Sequence, residues 1–190
     1  MGCIALEKIE IPYSVKYIRA NAFRGCSSLT HLRLSEIPKA DEEKCAIDEE
    51  AEDLILHKVE KIEEYAFYKT GFPSIKLNNA RYVHKFAFGS MENLTRFKSE
   101  NEERTIWFEY KAFDSNPSLK NVIIKGEWTR KNYMSIFENC PALENVANNS
   151  EYYDLTTFRF LKKRSMDDEY SKTQFKTILE EYRAEEEMNL

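Results

Sequence analysis

Glycine and proline are scarce, with five of each among 190 residues. That excludes the collagen-like class and the disordered Pro/Gly-rich class, both of which need several times as much. Histidine is scarcer still, and His31, His57 and His84 stand far apart in none of the catalytic motifs. The four cysteines, Cys3, Cys26, Cys45 and Cys140, form no Cys-x-x-Cys pair and have no histidine at ligand spacing. Neither a metal site nor a disulfide framework is expected from that pattern. A phosphate-cradling Gly-rich loop is missing, as is any local nucleophile signature around Ser or Cys. No cofactor is implied, and the chain reads as non-enzymatic. Long apolar runs are missing too, none approaching the ~18 residues of a membrane-spanning helix. The stretch Met1-Gly2-Cys3-Ile4-Ala5-Leu6 lacks the basic flank and apolar core of a secretory signal. It also carries Leu6 where an N-acylation signal needs Ser or Thr.

What is abundant is a pattern. Hydrophobic residues are 42 % of the chain and charged residues 32 %, a balance that supports a folded core. Three apolar positions spaced i, i+3, i+5 recur as Leu6, Ile9, Ile11, then Leu29, Leu32, Leu34, then Phe72, Ile75, Leu77. They continue as Leu94, Phe97 and the polar Ser99, then Leu119, Val122, Ile124, then Leu143, Val146 and the polar Asn148. An aromatic pair precedes the triplets: Ala22-Phe23, Ala66-Phe67, Ala87-Phe88 and Ala112-Phe113, with Ile136-Phe137 as a variant. Upstream of these pairs come Val15 and Ile18, Val59 and Ile62, and Ala80 and Val83. Because Ala22 and Ala66 are 44 residues apart, a degenerate unit is expected between them. Ala51, Leu54 and Leu56 supply its triplet, and Ala46-Ile47 a weak form of its pair. Triplets then start at 6, 29, 51, 72, 94, 119 and 143.

A triplet of this spacing is too irregular for a long helix, and its last two members alternate as on a strand. One unit of about two dozen residues cannot bury its own apolar face. Stacking the units pairs their strands into a parallel sheet over a continuous core, with each Phe filling the coil from the opposite side. The recurring aromatics are therefore core residues rather than a ligand cage.

The stretch Ile11-Pro12-Tyr13-Ser14-Val15-Lys16-Tyr17-Ile18-Arg19-Ala20-Asn21-Ala22-Phe23-Arg24-Gly25-Cys26-Ser27-Ser28-Leu29 closely resembles the BspA-like, or Treponema pallidum-type, leucine-rich repeat. That unit reads roughly I-P-x-x-V-x-x-I-x-x-x-A-F-x-x-C-x-x-L-x-x-I-x-I. The resemblance covers residues 4–148 and fades toward Leu143. Pro12 keeps the proline after the strand, Pro38 keeps it with a shift, and later units lose it. The cysteine position survives at Cys26 and Cys140, and there the resemblance implies packing thiols. It also implies a right-handed leucine-rich-repeat solenoid with a parallel concave sheet. Such arrays occur in bacterial surface and secreted proteins and in families of parasitic protists, where they are associated with adhesion and protein binding.

The expected organisation is a repeat array of about seven units over residues 1–150, its acidic degenerate unit near 37–58, followed by a C-terminal helical cap over 151–190. Ser171-Lys172-Thr173-Gln174 fits a capping box, and Phe175, Ile178, Leu179 and Tyr182 form a helical stripe, which places a helix at 171–187. Tyr152, Leu155, Phe158 and Leu161 suggest a second short helix within 151–164. The N-terminus enters at a half-unit without such a cap, so its edge strand is expected to self-associate or to mark an excised fragment. A native start at Met1 would suit the cytoplasm, and an excised fragment the cell surface or secretion.

Residues 41–53 hold eight acids against one base, and 151–190 hold ten against seven. The remaining chain has fifteen acids against twenty bases, so an overall charge of −5 hides a basic repeat body. Side chains alternate along a strand, so the second and fourth residues after each triplet start should face outward on the concave side. These are Lys8 and Glu10, His31 and Arg33, Asp53 and Ile55, Ser74 and Lys76, Arg96 and Lys98, Asn121 and Ile123, and Asn145 and Ala147. Lys8, His31, Arg33, Lys76, Arg96, Lys98 and Asn121 are the candidate partner-binding residues. The expected partner is another protein, acidic in character. A surface adhesin for host protein or glycan is the first alternative. Nucleic acid or anionic lipid on the basic patch is the second, and the negative net charge opposes it.

Overall fold

The computed structural model describes residues 2–42, 53–100, 105–125, 136–143, 145–148, 151–154 and 162–165. Each triplet carries a strand that begins two residues after its first member. These are β1 (Lys8–Pro12), β3 (His31–Ser35), β4 (Asp53–Leu56), β6 (Ser74–Leu77), β8 (Arg96–Ser99), β10 (Asn121–Ile124) and β11 (Asn145–Asn148). Shorter strands β2 (Tyr17–Ile18), β5 (Lys61–Ile62), β7 (Tyr82–Val83) and β9 (Trp107–Phe108) follow on the other side of the coil. The longer strands pair in parallel with matching triplet positions opposite one another: Leu54 faces Ile75, Ile75 faces Phe97, and Phe97 faces Val122. β1 and β3 form a two-stranded sheet of their own, Ile9 opposite Leu32. The shorter strands form a second parallel sheet in the order β2-β5-β7-β9. The architecture is a parallel β-solenoid of about four turns.

Between a shorter strand and the next triplet the chain turns, and the turns stack as well. Phe23 N–H donates to Ala66 O, Phe67 N–H to Ala87 O, Phe88 N–H to Ala112 O and Phe113 N–H to Ile136 O, all at 2.8–2.9 Å. Their rings follow the backbone: Phe23, Phe67, Phe88, Phe113 and Phe137 stack with centroids 5.1, 5.5, 5.3 and 5.2 Å apart. Inside the coil these rings meet the triplet residues, and Phe97 lies edge-on to Phe113 at 4.7 Å. Each turn is bracketed by two residues of positive φ four apart: Asn21 and Gly25, Tyr65 and Lys69, Phe86 and Ser90, and Lys111 and Ser115. Only one of these is glycine. A left-handed backbone costs other residues roughly 1–2 kcal/mol each, and the bonds between turns, at roughly 1 kcal/mol apiece, offset it.

The turn at 21–25 bonds directly to the turn at 65–69, through Asn21 N–H to Glu64 O and Gly25 N–H to Tyr68 O, and β2 pairs directly with β5. Of the degenerate unit, Leu54 and Leu56 lie on β4, and the pair Ala46-Ile47 lies outside the described residues. One expectation fails here, the short helix within 151–164. Residues Glu151–Asp154 (β12) and Lys162–Ser165 (β13) are strands, antiparallel to β11 and to each other. A last parallel strand leaves a row of unpaired N–H and C=O groups, which a hairpin continues and a helix would leave open. The helix expected at 171–187 lies outside the described residues.

At the other end, residues 2–6 lie against the first turn. A Cβ on Gly2 would collide with the Gly25 carbonyl, so no side chain fits there.

Candidate partner-binding face

Strand alternation sends the second and third triplet members inward. Leu54, Leu56, Ile75, Leu77, Phe97, Ser99, Val122 and Ile124 are all buried. Between them the outward residues line up in two columns. Along one, Ser74 pairs with Arg96 and Arg96 with Asn121; along the other, Lys76 pairs with Lys98 and Lys98 with Ile123. Lys76, Arg96, Lys98 and Asn121 thus share one stretch of sheet. Lys8 pairs with His31, and Arg33 with Glu10, in the separate sheet of β1 and β3. The structure divides the seven candidates into these two groups, with β4 between them. Among the outward positions whose side chains are described, Ser74 and Ile123 are buried.

The larger group is organised by a residue that the outward columns do not contain. Glu100 directly follows β8, and its carboxylate receives Lys98 at 2.7 Å, Lys125 at 2.8 Å and Lys76 at 3.8 Å. Burial acts to raise the Glu100 carboxyl, but hydrogen bonds and charge from Lys125 and Lys98 outweigh it and hold the group below its ordinary value. Lys98 is correspondingly drawn in, its side chain only 11 % exposed. Register could have exposed this residue. His57, Asn78, Glu100 and Lys125 are the residues after β4, β6, β8 and β10. They form a column of their own, in which Asn78, Glu100 and Lys125 each donate N–H to a carbonyl of the preceding strand of the sheet.

The same column carries a second cluster at its other end. Asn78 Nδ2 donates to His57 Nδ1 at 3.0 Å, and the His57 ring lies 6.2 Å from that of Tyr13. Tyr13 donates its hydroxyl to Asp41 at 3.1 Å, and Lys58 pairs with Asp41 at 3.9 Å. Burial lowers the His57 pKa, and the Lys76 and Lys58 charges lower it further. The ring is therefore neutral at physiological pH and serves as a hydrogen-bond acceptor. Among the described residues no three His, Cys, Asp or Glu side chains gather as metal ligands would. No helix among them is long and apolar enough to cross a membrane.

With the coil and its faces in place, the comparison with known families is direct. The profile of the BspA type leucine rich repeat region matches in six copies, over residues 1–106 and 44–167. The chain belongs to the BspA-type leucine-rich-repeat family. Searches of curated proteins and of solved structures gave no match. The cysteine of the BspA-type unit falls three residues after the stacked Phe, at Cys26 and Cys140. Cys26 is buried, and Cys140 Sγ donates to Phe113 O at 3.1 Å. Burial raises both thiols, Cys140 to about 11. A thiol so far from ionising at neutral pH is a poor nucleophile, which suits a packing role.

Proposed function

We propose that this BspA-type solenoid is a non-enzymatic interaction module that holds an acidic segment of another protein on the outer, concave face of its major sheet. The observation that carries the proposal is the gathering of Lys76, Lys98 and Lys125 on the Glu100 carboxylate, with Arg96 on the same strand as Lys98. That carboxylate holds the three ammonium groups in place on one stretch of the sheet. A partner carboxylate would meet donors already positioned, which lowers the ordering cost of binding. Lys8, His31 and Arg33, in the sheet of β1 and β3, extend the surface to a second group, and Asn121 adds a neutral polar position beside Arg96. Repeat solenoids offer such extended surfaces to partners.

The test is capture of partners on the immobilised chain beside a variant with Arg33, Lys76, Arg96 and Lys98 all changed to Glu. A partner that wild type retains, soluble poly-glutamate elutes and the variant loses would support the reading. A partner held equally by both would move the binding site to another face. The compartment of the captured protein decides between an intracellular module and an adhesin.

A further inference from the structure

The outer face of the second sheet differs from that of the first. Its outward column, read across β2, β5, β7 and β9, is Tyr17, Lys61, Tyr82 and Trp107, in register. The inward neighbours Ile18, Ile62, Val83 and Phe108 are buried. The three aromatics stay half exposed, Tyr17 at 49 %, Tyr82 at 47 % and Trp107 at 52 %. Tyr82 and Trp107 sit on adjacent strands, and Tyr17 is two strands from Tyr82. Parallel strands lie about 4.8 Å apart, so the column runs roughly 14 Å along the solenoid.

Several charged side chains beside this column pair within the sheet, and Arg81, directly before Tyr82, is a further cation there. Lys16 meets Glu60 at 3.3 Å, Arg19 meets Glu63 at 2.9 Å, Lys61 meets Glu63 at 3.6 Å and His84 meets Glu109 at 2.9 Å. Arg19 also lies over the Tyr17 ring at 5.6 Å. The strip therefore offers aromatic rings with a polar margin that carries charges of both signs.

We propose that this column is a binding strip for a neutral polysaccharide. Pyranose rings present C–H faces that pack on aromatic rings, and their hydroxyls bond to carboxylates and cations that are already paired. The carboxylates of Glu60, Glu63 and Glu109 along the strip argue against a single-stranded nucleic acid, whose binding sites combine stacking rings with a positive groove. Size argues against a second copy of the chain. Four strands and two residues of width give roughly 100 Å², against about 800 Å² per partner in a stable protein interface. A slender, uncharged, ring-bearing chain suits what remains.

The test is affinity electrophoresis of the full chain through gels containing hydroxyethyl cellulose, laminarin or galactomannan, with serum albumin as the reference. Retardation by at least one polymer is expected, weakened about tenfold by Trp107→Ala and again by Tyr82→Ala. Raising salt from about 50 to about 500 mM should leave it unchanged, whereas a charged ligand would be lost steeply. Both substitutions are at exposed positions, and unchanged circular dichroism would confirm that the variants fold. The four-Glu variant of the major sheet should be retarded like wild type, which separates this strip from the protein-binding face. Migration unaffected by all three polymers would overturn the proposal, as would retardation that survives both aromatic substitutions or collapses with salt.

Discussion

Two columns run side by side through the stacked turns and obey different rules. One is Phe23, Phe67, Phe88, Phe113 and Phe137, the same residue five times. The other, three residues further on, is Cys26, Thr70, Met91, Asn116 and Cys140. The first column fills volume, and each ring is a wall for the rings on either side, so a smaller residue opens a cavity that no neighbour can close. The second column mainly serves turn carbonyls. Thr70 Oγ1 donates to Phe67 O at 2.9 Å, and Cys140 Sγ to Phe113 O. Met91 has no donor to offer, and here the next turn substitutes. Asn116 Nδ2 donates to Phe88 O as well as to Phe113 O, both at 2.8 Å, while its Oδ1 accepts from Met91 N–H at 2.7 Å. Hydrogen bonding can be delegated to an adjacent coil and packing cannot, which is why one column tolerates variety.

Breaking the ring column should have the largest effect. Phe88 is fully buried between two stacked rings, so Phe88→Ala is expected to cost about 3–5 kcal/mol. Phe23, at the end of the column, should cost less when changed to Ala, because it has one stacked neighbour instead of two. Denaturant unfolding of both variants checks this. Equal losses would mean that the rings act singly and not as a stack.

Asn116→Ala tests delegation. It leaves Met91 N–H and the Phe88 carbonyl short of a partner in the core, at about 2–3 kcal/mol. The double variant Asn116→Ala with Met91→Thr supplies a local hydroxyl donor to the Phe88 carbonyl, as Thr70 does one turn earlier. It should recover part of the loss in the same unfolding experiment. A double variant no more stable than Asn116→Ala alone would show that the carbonyl bond was not what Asn116 contributed.

The same contrast explains what could be read from sequence. The ring column and the triplets repeat identical chemistry at fixed spacing, so Leu54, Ile75, Phe97 and Val122 fall on strands in the expected register. Interactions that reach between coils carry no such period. Asn116 serving Met91 and Glu100 gathering Lys76 and Lys125 join residues about 20–30 positions apart, visible only once the coils are aligned. The hairpin of β12 and β13 was hidden by a stripe at helical spacing, in a place where the edge of the sheet decides the outcome. Tyr17, Tyr82 and Trp107 were within reach, since each directly precedes a buried Ile18, Val83 or Phe108. Alternation along those two-residue strands points them outward.

The smallest effect at neutral pH should come from Cys140→Ser. A serine hydroxyl can replace the thiol as donor to Phe113 O, so stability near neutrality should change by no more than about 1 kcal/mol. Alkali then separates the two chains. Burial raises the Cys140 pKa to about 11 from its ordinary 9.0, and the native state therefore holds the thiol proton more tightly than the unfolded chain does. Stability tied to that proton is complete below pH 9.0 and is lost as pH rises toward about 11. Serine does not titrate in this range. Thermal melts of wild type and Cys140→Ser should therefore run parallel up to about pH 9 and diverge above it, wild type falling faster. Parallel curves throughout would mean that Cys140 is open to solvent and that the second column carries no buried donor at its last turn.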